Sequence, residues 1–234
     1  MERTSIVFDL DNTLTDYKFT DSYATSQVYQ RLGLPFTDEE YEKFYKFQCE
    51  FWYFFENSHV EYDTKGLSRI DFIRSKLYID YFKELNIPIE LGLELMNIYI
   101  DNLGVKNILL PGTLDILEYL NQNYKLYIAS NGPREAQIRK LTNTDILKYF
   151  RGLLTAEDCG YPKPKKEFFD SLIKRFELIP SQTVLIGDSL SSDIVGANNS
   201  NIYSIWYNRM NQINKTDIVP NMEIKDFSEL KKVL

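Results

Sequence analysis

Three short apolar runs along the chain each break off abruptly into a polar cluster. They are Thr4 to Phe8 before Asp9, Lys125 to Ala129 before Ser130-Asn131-Gly132, and Thr183 to Ile186 before Gly187-Asp188. Continuous Val/Ile/Leu-rich runs are the pattern of parallel strands buried on both faces, and open α/β sheets bind ligands beyond the carboxyl ends of such strands. Further runs at Gly152 to Thr155 and Tyr203 to Trp206 fit the same sheet. Between the runs, helical patterns cover about 113–122, 134–142, 165–177 and 191–199, with Pro133 suited to a first helical turn. Strand and helix alternate, which predicts an α/β fold with a doubly wound, Rossmann-like parallel sheet.

The stretch 17–103 breaks that alternation. It reads as four helices, about 21–32, 37–56, 65–86 and 89–102, separated by Gly33-Leu34-Pro35 and Asn86-Ile87-Pro88. Thr37 with Glu40 predicts a capping box at the start of the second helix. Along that helix Tyr41, Phe44, Tyr45, Phe51, Trp52 and Phe55 recur on one apolar face, the core of a helical bundle. Phe47, Tyr53 and Phe54 fall off that face and are open to a second packing surface, a subunit contact or a ligand pocket. The expected organisation is a core of 1–16 and 104–234 with an inserted helical domain over 17–103.

Composition narrows the chemistry. One histidine, His59, excludes sites built on several imidazoles, and its polar surroundings suit a helix end or loop. Cys49 and Cys159 form no CxxC pair, so a reducing compartment is expected, with both thiols buried or half-buried. The balance of 34 acidic against 27 basic side chains gives a net charge of -7 and argues against a nucleic-acid polymer as partner. The longest apolar stretch, Phe51 to Phe55, is far short of a membrane span, which needs about 18 residues or more. Asp9 cuts Ile6-Val7-Phe8 too short for a secretory signal. A cytoplasmic protein without membrane association is expected.

Asp9-Leu10-Asp11-Asn12-Thr13 follows the first strand directly, and residues two apart at a strand end face the same way. Alone, this motif reads equally as a turn with solvated acids. In a parallel sheet, however, it converges with Ser130, with Lys163 between Pro162 and Pro164, and with Asp188 and Asp193 in GDSLSSD. That set suits phosphoryl transfer to a carboxylate. An attacking carboxylate and a phosphoryl group about 4 Å apart repel by roughly 4 kcal/mol at an effective dielectric of about 20, so cations must offset the charge. Lys163 is one, a hard divalent ion on Asp9 and Asp188 another, and Ser130 with neighbouring N–H groups adds donors.

These four motifs, in this order, resemble the signature of the haloacid dehalogenase (HAD) superfamily. The resemblance implies that Asp9 is the nucleophile that becomes an aspartyl-phosphate. It implies that Asp11 is the general acid and base and contacts the metal through its main-chain carbonyl. Thr13, Ser130, Asn131 and Lys163 would bind or orient the phosphate, Asp188 would complete the Mg2+ ligands with Asp9 and Asp11, and Asp193 would support the metal shell or the lysine. An acid at Asp11 suits a phosphatase, since a dehalogenase has no alkoxide to protonate. The helical insertion resembles the C1 cap of this superfamily, with hinges near 15–19 and 103–110. Phe36-Thr37-Asp38-Glu39 leading to Phe51-Trp52, Ser130-Asn131-Gly132, Lys163 to Phe169 and Trp206-Tyr207-Asn208 are similar to the YjjG-like pyrimidine 5′-nucleotidases. The substrate so implied is a nucleoside 5′-monophosphate, with Phe19, Trp52 and Phe54 as candidates for enclosing it. Alternatives are a sugar phosphate, phosphoglycolate or another small phosphometabolite, or a non-catalytic binding protein on the same fold. Whether the chain is a monomer or a homodimer stays open.

Overall fold

The computed structural model describes residues 3–57, 63–64 and 66–234. In chain order the elements are β1 (Ser5–Phe8), α1 (Tyr17–Arg31), α2 (Asp38–Asn57), α3 (Arg69–Tyr81), α4 (Ile89–Asn102), α5 (Thr113–Leu120), β2 (Lys125–Ser130) and α6 (Arg134–Asn143). There follow β3 (Phe150–Thr155), α7 (Ala156–Cys159), α8 (Lys166–Phe176), β4 (Thr183–Gly187), α9 (Val195–Asn199), β5 (Tyr203–Tyr207) and β6 (Met222–Ile224). The chain divides into two compact units, Met1–Phe19 with Lys106–Leu234, and Thr20–Val105. His59 lies outside the described residues. Among those described, no helix is long and apolar enough to cross a membrane.

In the first unit six strands form one sheet in the order β3-β2-β1-β4-β5-β6, every pairing parallel. This is the doubly wound order, and the winding reverses beside β1, which opens a crevice at its carboxyl end. The register sets Phe8 opposite both Ile128 and Ile186, so Asp9 emerges between the ends of β2 and β4. Side chains alternate across the sheet as the pleat requires. Ile6 and Phe8 join Ile116, Leu117, Ile128, Ile186 and Phe227 on one face. Val7 joins Ala129, Leu154, Phe168, Phe169 and Leu185 on the other. β6 was not expected: three residues, with Glu223 exposed in the middle, are too short to show a period.

In the helical unit Tyr41, Phe44, Phe51 and Phe55 are buried, as the apolar face of α2 requires. Phe44 stacks on Tyr78 and meets Tyr81 edge-on, and Phe47 packs against Phe51 and Tyr81. Asp21 of α1 is buried, accepting hydrogen bonds from Tyr41 (2.9 Å), Tyr99 (2.5 Å) and Gln48 (3.3 Å), so one carboxylate ties together α1, α2 and α4.

Three local expectations need correction. The third helix starts at Arg69, because the Ser68 hydroxyl accepts from the Asp71 N–H (3.1 Å) as an N-cap, and α-helical structure ends at Tyr81 with only a short 3-10 turn beyond. Only half of the capping box on α2 forms: Glu40 N–H donates to Thr37 Oγ1 (3.3 Å), while the Glu40 carboxylate pairs with Lys43. Cys49 is exposed, being one residue past the buried Gln48 and therefore turned off the buried face.

Candidate active site

The loop after β1 turns sharply. Leu14 N–H and Thr15 N–H both bond the Leu10 carbonyl, and Asn12 takes a left-handed backbone (φ 62°), which asparagine tolerates better than most residues. The turn brings Thr13 Oγ1 back to donate to Asp9 Oδ2 at 3.1 Å. Asp9 Oδ1 accepts from Lys163 Nζ at 2.7 Å. The same ammonium donates to Asp193 Oδ1 (2.7 Å) and to the Ala129 carbonyl (2.8 Å), so its three N–H bonds are all used. Asn131 secures the Lys163 backbone, accepting its N–H at 2.7 Å and donating to its carbonyl at 3.1 Å. Oδ1 and one amide N–H of Asn131 are thus spent on placing Lys163.

Beyond β4, Asp193 Oδ2 accepts the Ser189 N–H (3.1 Å), and a Cβ on Gly187 would lie 2.3 Å from that oxygen, so glycine is required for this approach. The Trp206 indole N–H donates to the Asp188 carbonyl (2.8 Å), holding Asp188 from β5. Sequence reading met Trp206 as the end of a strand run and as a likeness, without this role, because an indole bond to a main-chain oxygen leaves no spacing signal.

Asp9, Asp188 and Asp193 each present a carboxylate oxygen within 4.8 Å of the others. Burial pushes the Asp9 carboxyl up to about 7 against the pull of Lys163, with Asp193 and Asp11 adding to the rise. Burial, then the charges of Asp9 and Asp193, hold Asp188 well above the usual carboxylate range. Burial works against charge on Lys163 too, yet Asp193 and Asp9 raise its pKa and keep it an ammonium. Three carboxylates against one ammonium leave an excess of negative charge, and among the described residues Asp188 makes no salt bridge, Lys163 acting on it only as a nearby charge. This oxygen-only set fits a hard divalent ion such as magnesium.

Asp11 stands apart from that cluster. Its Oδ1 accepts from Lys140 Nζ (2.5 Å) and its Oδ2 from Gln137 Nε2 (2.8 Å), both from α6. Gln137 also donates to Ser130 Oγ at 3.0 Å. The structure therefore gathers Asp9, Thr13, Lys163, Asp188 and Asp193 directly, with Asp11 and Ser130 joined through Gln137. Sequence reading missed Gln137 and Lys140. Their spacing of three puts them on one helix face, but nothing local shows what that face meets. Phe19 is exposed in the sheet unit, with its N–H on Asp16 Oδ1. In the helical unit Trp52 is half-buried and edge-on to Phe51, and Phe54 is exposed.

The HAD-hydrolase YfnB of Bacillus subtilis is 27% identical over 98% of this chain and 94% of its own length. Its crystal structure, described as bound to magnesium, covers 100% of this chain and 99% of that one with a TM-score of 0.87 at 25% identity. The pyrimidine 5′-nucleotidase PynA of Streptococcus pneumoniae is 26% identical over 96% of this chain and 92% of its own. The pyrimidine 5′-nucleotidase YjjG of Escherichia coli is 24% identical over 98% and 96%. The sequence signature described as haloacid dehalogenase-like hydrolase matches residues 4–201, which spans every carboxylate and the lysine of the cluster, and the chain belongs to that family.

Proposed function

We propose that the protein is a magnesium-dependent phosphomonoesterase that works through an aspartyl-phosphate and acts on pyrimidine nucleoside 5′-monophosphates. The observation that carries the reading is the grouping of Asp9, Asp188 and Asp193 at the carboxyl ends of β1 and β4, with the buried ammonium of Lys163 bridging Asp9 and Asp193. In the first half-reaction an Asp9 oxygen bonds to phosphorus as the ester P–O bond breaks, and the leaving alkoxide takes a proton from the Asp11 carboxyl. In the second, water bonds to phosphorus and gives its proton to the Asp11 carboxylate. The P–O bond to Asp9 breaks, phosphate leaves, and both aspartates return to their starting states. Lys163 keeps positive charge beside Asp9 throughout, and Ser130 offers a hydroxyl to a phosphoryl oxygen. A magnesium ion held by Asp9, Asp188 and the Asp11 carbonyl, with Asp193 in support, would supply charge that offsets the repulsion between nucleophile and phosphate. The helical unit Thr20–Val105 is proposed as the cap that selects the substrate, and the nucleotide reading draws on PynA and YjjG.

Phosphate release from nucleoside 5′-monophosphates, sugar phosphates and phosphoglycolate tests the substrate. The pyrimidine nucleotides are expected to lead in kcat/KM by about tenfold or more, the range a shaped pocket delivers. Higher values for the sugar phosphates would overturn the nucleotidase reading while leaving the phosphatase.

Removing the metal is expected to stop turnover reversibly. Since Asp9 sits at about 7, protons compete with the cation, and apparent magnesium affinity should rise about tenfold between pH 6 and pH 8. With chelator present, the raised folded-state pKa gives stability that is complete below about pH 4 and lost as pH rises through about 7, so the melting temperature falls across that window. Magnesium titrations of melting temperature read both effects, and an affinity flat with pH would remove Asp9 from the ligands.

A further inference from the structure

Lys140 has no solvent exposure, although lysine is almost never fully buried unless paired. Its partner Asp11 is a carboxylate with 20% of its side chain exposed, which water could solvate without help. Stability alone gives little reason to bury an ammonium for such a partner, because desolvation commonly offsets the Coulombic gain. Gln137, one helical turn earlier and equally buried, spends one amide hydrogen on Asp11 Oδ2 and the other on Ser130 Oγ. Its Oε1 accepts no hydrogen bond among the described residues, and flipping the amide would turn that oxygen toward the Asp11 carboxylate. Space for the amide comes from Gly132, where a Cβ would lie 1.8 Å from Gln137 Nε2.

The bonding of Ser130 follows from this arrangement. A serine oxygen has two acceptor sites and one proton to donate. Gln137 Nε2 fills one site and the Gly132 N–H the other, at 3.1 Å. The hydroxyl proton is thereby left for a further acceptor, such as a phosphoryl oxygen.

We infer that Gln137 and Lys140 are positioning residues for phosphoryl transfer: Lys140 and Gln137 together aim the Asp11 carboxyl group, and Gln137 also makes Ser130 a hydrogen-bond donor toward the substrate. The inference rests on the aspartyl-phosphate reading above. Lys140 acts on the acid and Gln137 on both the acid and the phosphate ligand, so their variants have different signatures.

The test is single-turnover release of the leaving group from a nucleoside monophosphate, which needs a proton, and from p-nitrophenyl phosphate, whose phenolate leaves without one. For Lys140→Met, nucleoside release is expected to fall about 100-fold, the lower range of acid catalysis, and p-nitrophenol release by less than about threefold. Gln137→Met is expected to slow release from both esters and, in steady-state assays, to raise KM for both. Equal losses for the two esters in Lys140→Met would mean a merely structural lysine, and unchanged nucleoside release would mean no role; either result overturns its assignment. Wild-type kinetics in Gln137→Met overturns the coupling to Ser130, and that variant also serves if Lys140→Met fails to fold. An Asp9→Asn control separates the levels: if it still releases nucleoside, the aspartyl-phosphate reading fails and the inference with it.

Discussion

Asp9→Asn is expected to abolish turnover, by about 10⁴-fold or more, because the amide cannot form the acyl-phosphate bond on which the rest of the reaction depends. The same change should leave the fold intact and, at pH 8, no less stable. Asn has the size of Asp and can still accept from Thr13, which donates at 3.1 Å in the parent. Lys163 keeps Asp193 as its partner. The lost charge is one that burial and the neighbouring aspartates disfavour, as its pKa of about 7 reflects. At pH 5 Asp9 is already protonated, so the stability of variant and parent should converge there. Phosphate-release assays and melting curves at the two pH values check both halves. Retained turnover would exclude Asp9 as nucleophile, and unfolding of the variant would make the aspartate structural.

Lys163→Met is expected to remove activity and stability together. The ammonium is buried and bonds two carboxylates and a carbonyl. Breaking a buried ion pair by deleting one partner typically costs about 3–5 kcal/mol, because the other charge is left uncompensated. For a chain of this size that corresponds to a fall of roughly 10 °C in melting temperature. The sign of its pH dependence follows from Asp9, whose pKa Lys163 holds down. Without the lysine, Asp9 stays protonated to higher pH, so the carboxylates cost little in acid and most when ionised. The loss should therefore be larger at pH 8 than at pH 5.5. An equal loss at both values would mean that the methylene packing of the lysine matters and its charge does not. The contrast between the two variants separates chemistry from architecture: one removes a charge the fold tolerates poorly, the other removes the charge that makes it tolerable.

How far the site was legible follows from how local each signal is. Asp9, Ser130 and Asp188 were readable because each ends an apolar run, and in a parallel sheet such ends face one crevice. Lys163 was readable from its place between two prolines and its order in the motif set. Gln137 and Lys140 were not, since their partner Asp11 is more than a hundred residues away and only the packing of α6 brings them together. Asp21 was hidden for the same reason: an acid within an amphipathic helix reads as solvated until Tyr41, Tyr99 and Gln48 close over it. β6 was hidden by its length, and Cys49 by a difference of one position on a helix.

The amino-acid sequence by itself determined the alternation of strands and helices, the helical character of the inserted stretch, and the residue types that bear charge at the strand ends. All of these rest on hydrophobic period and on abrupt polar breaks, which are properties of neighbouring residues. Only the tertiary structure decided which partner each charge has. It joined Lys163 to Asp9 and Asp193, left Asp188 without a salt bridge among the described residues, and set a buried lysine and glutamine against Asp11. Burial and distance govern those energies, and both are settled by which strands lie side by side and how the helices pack on them.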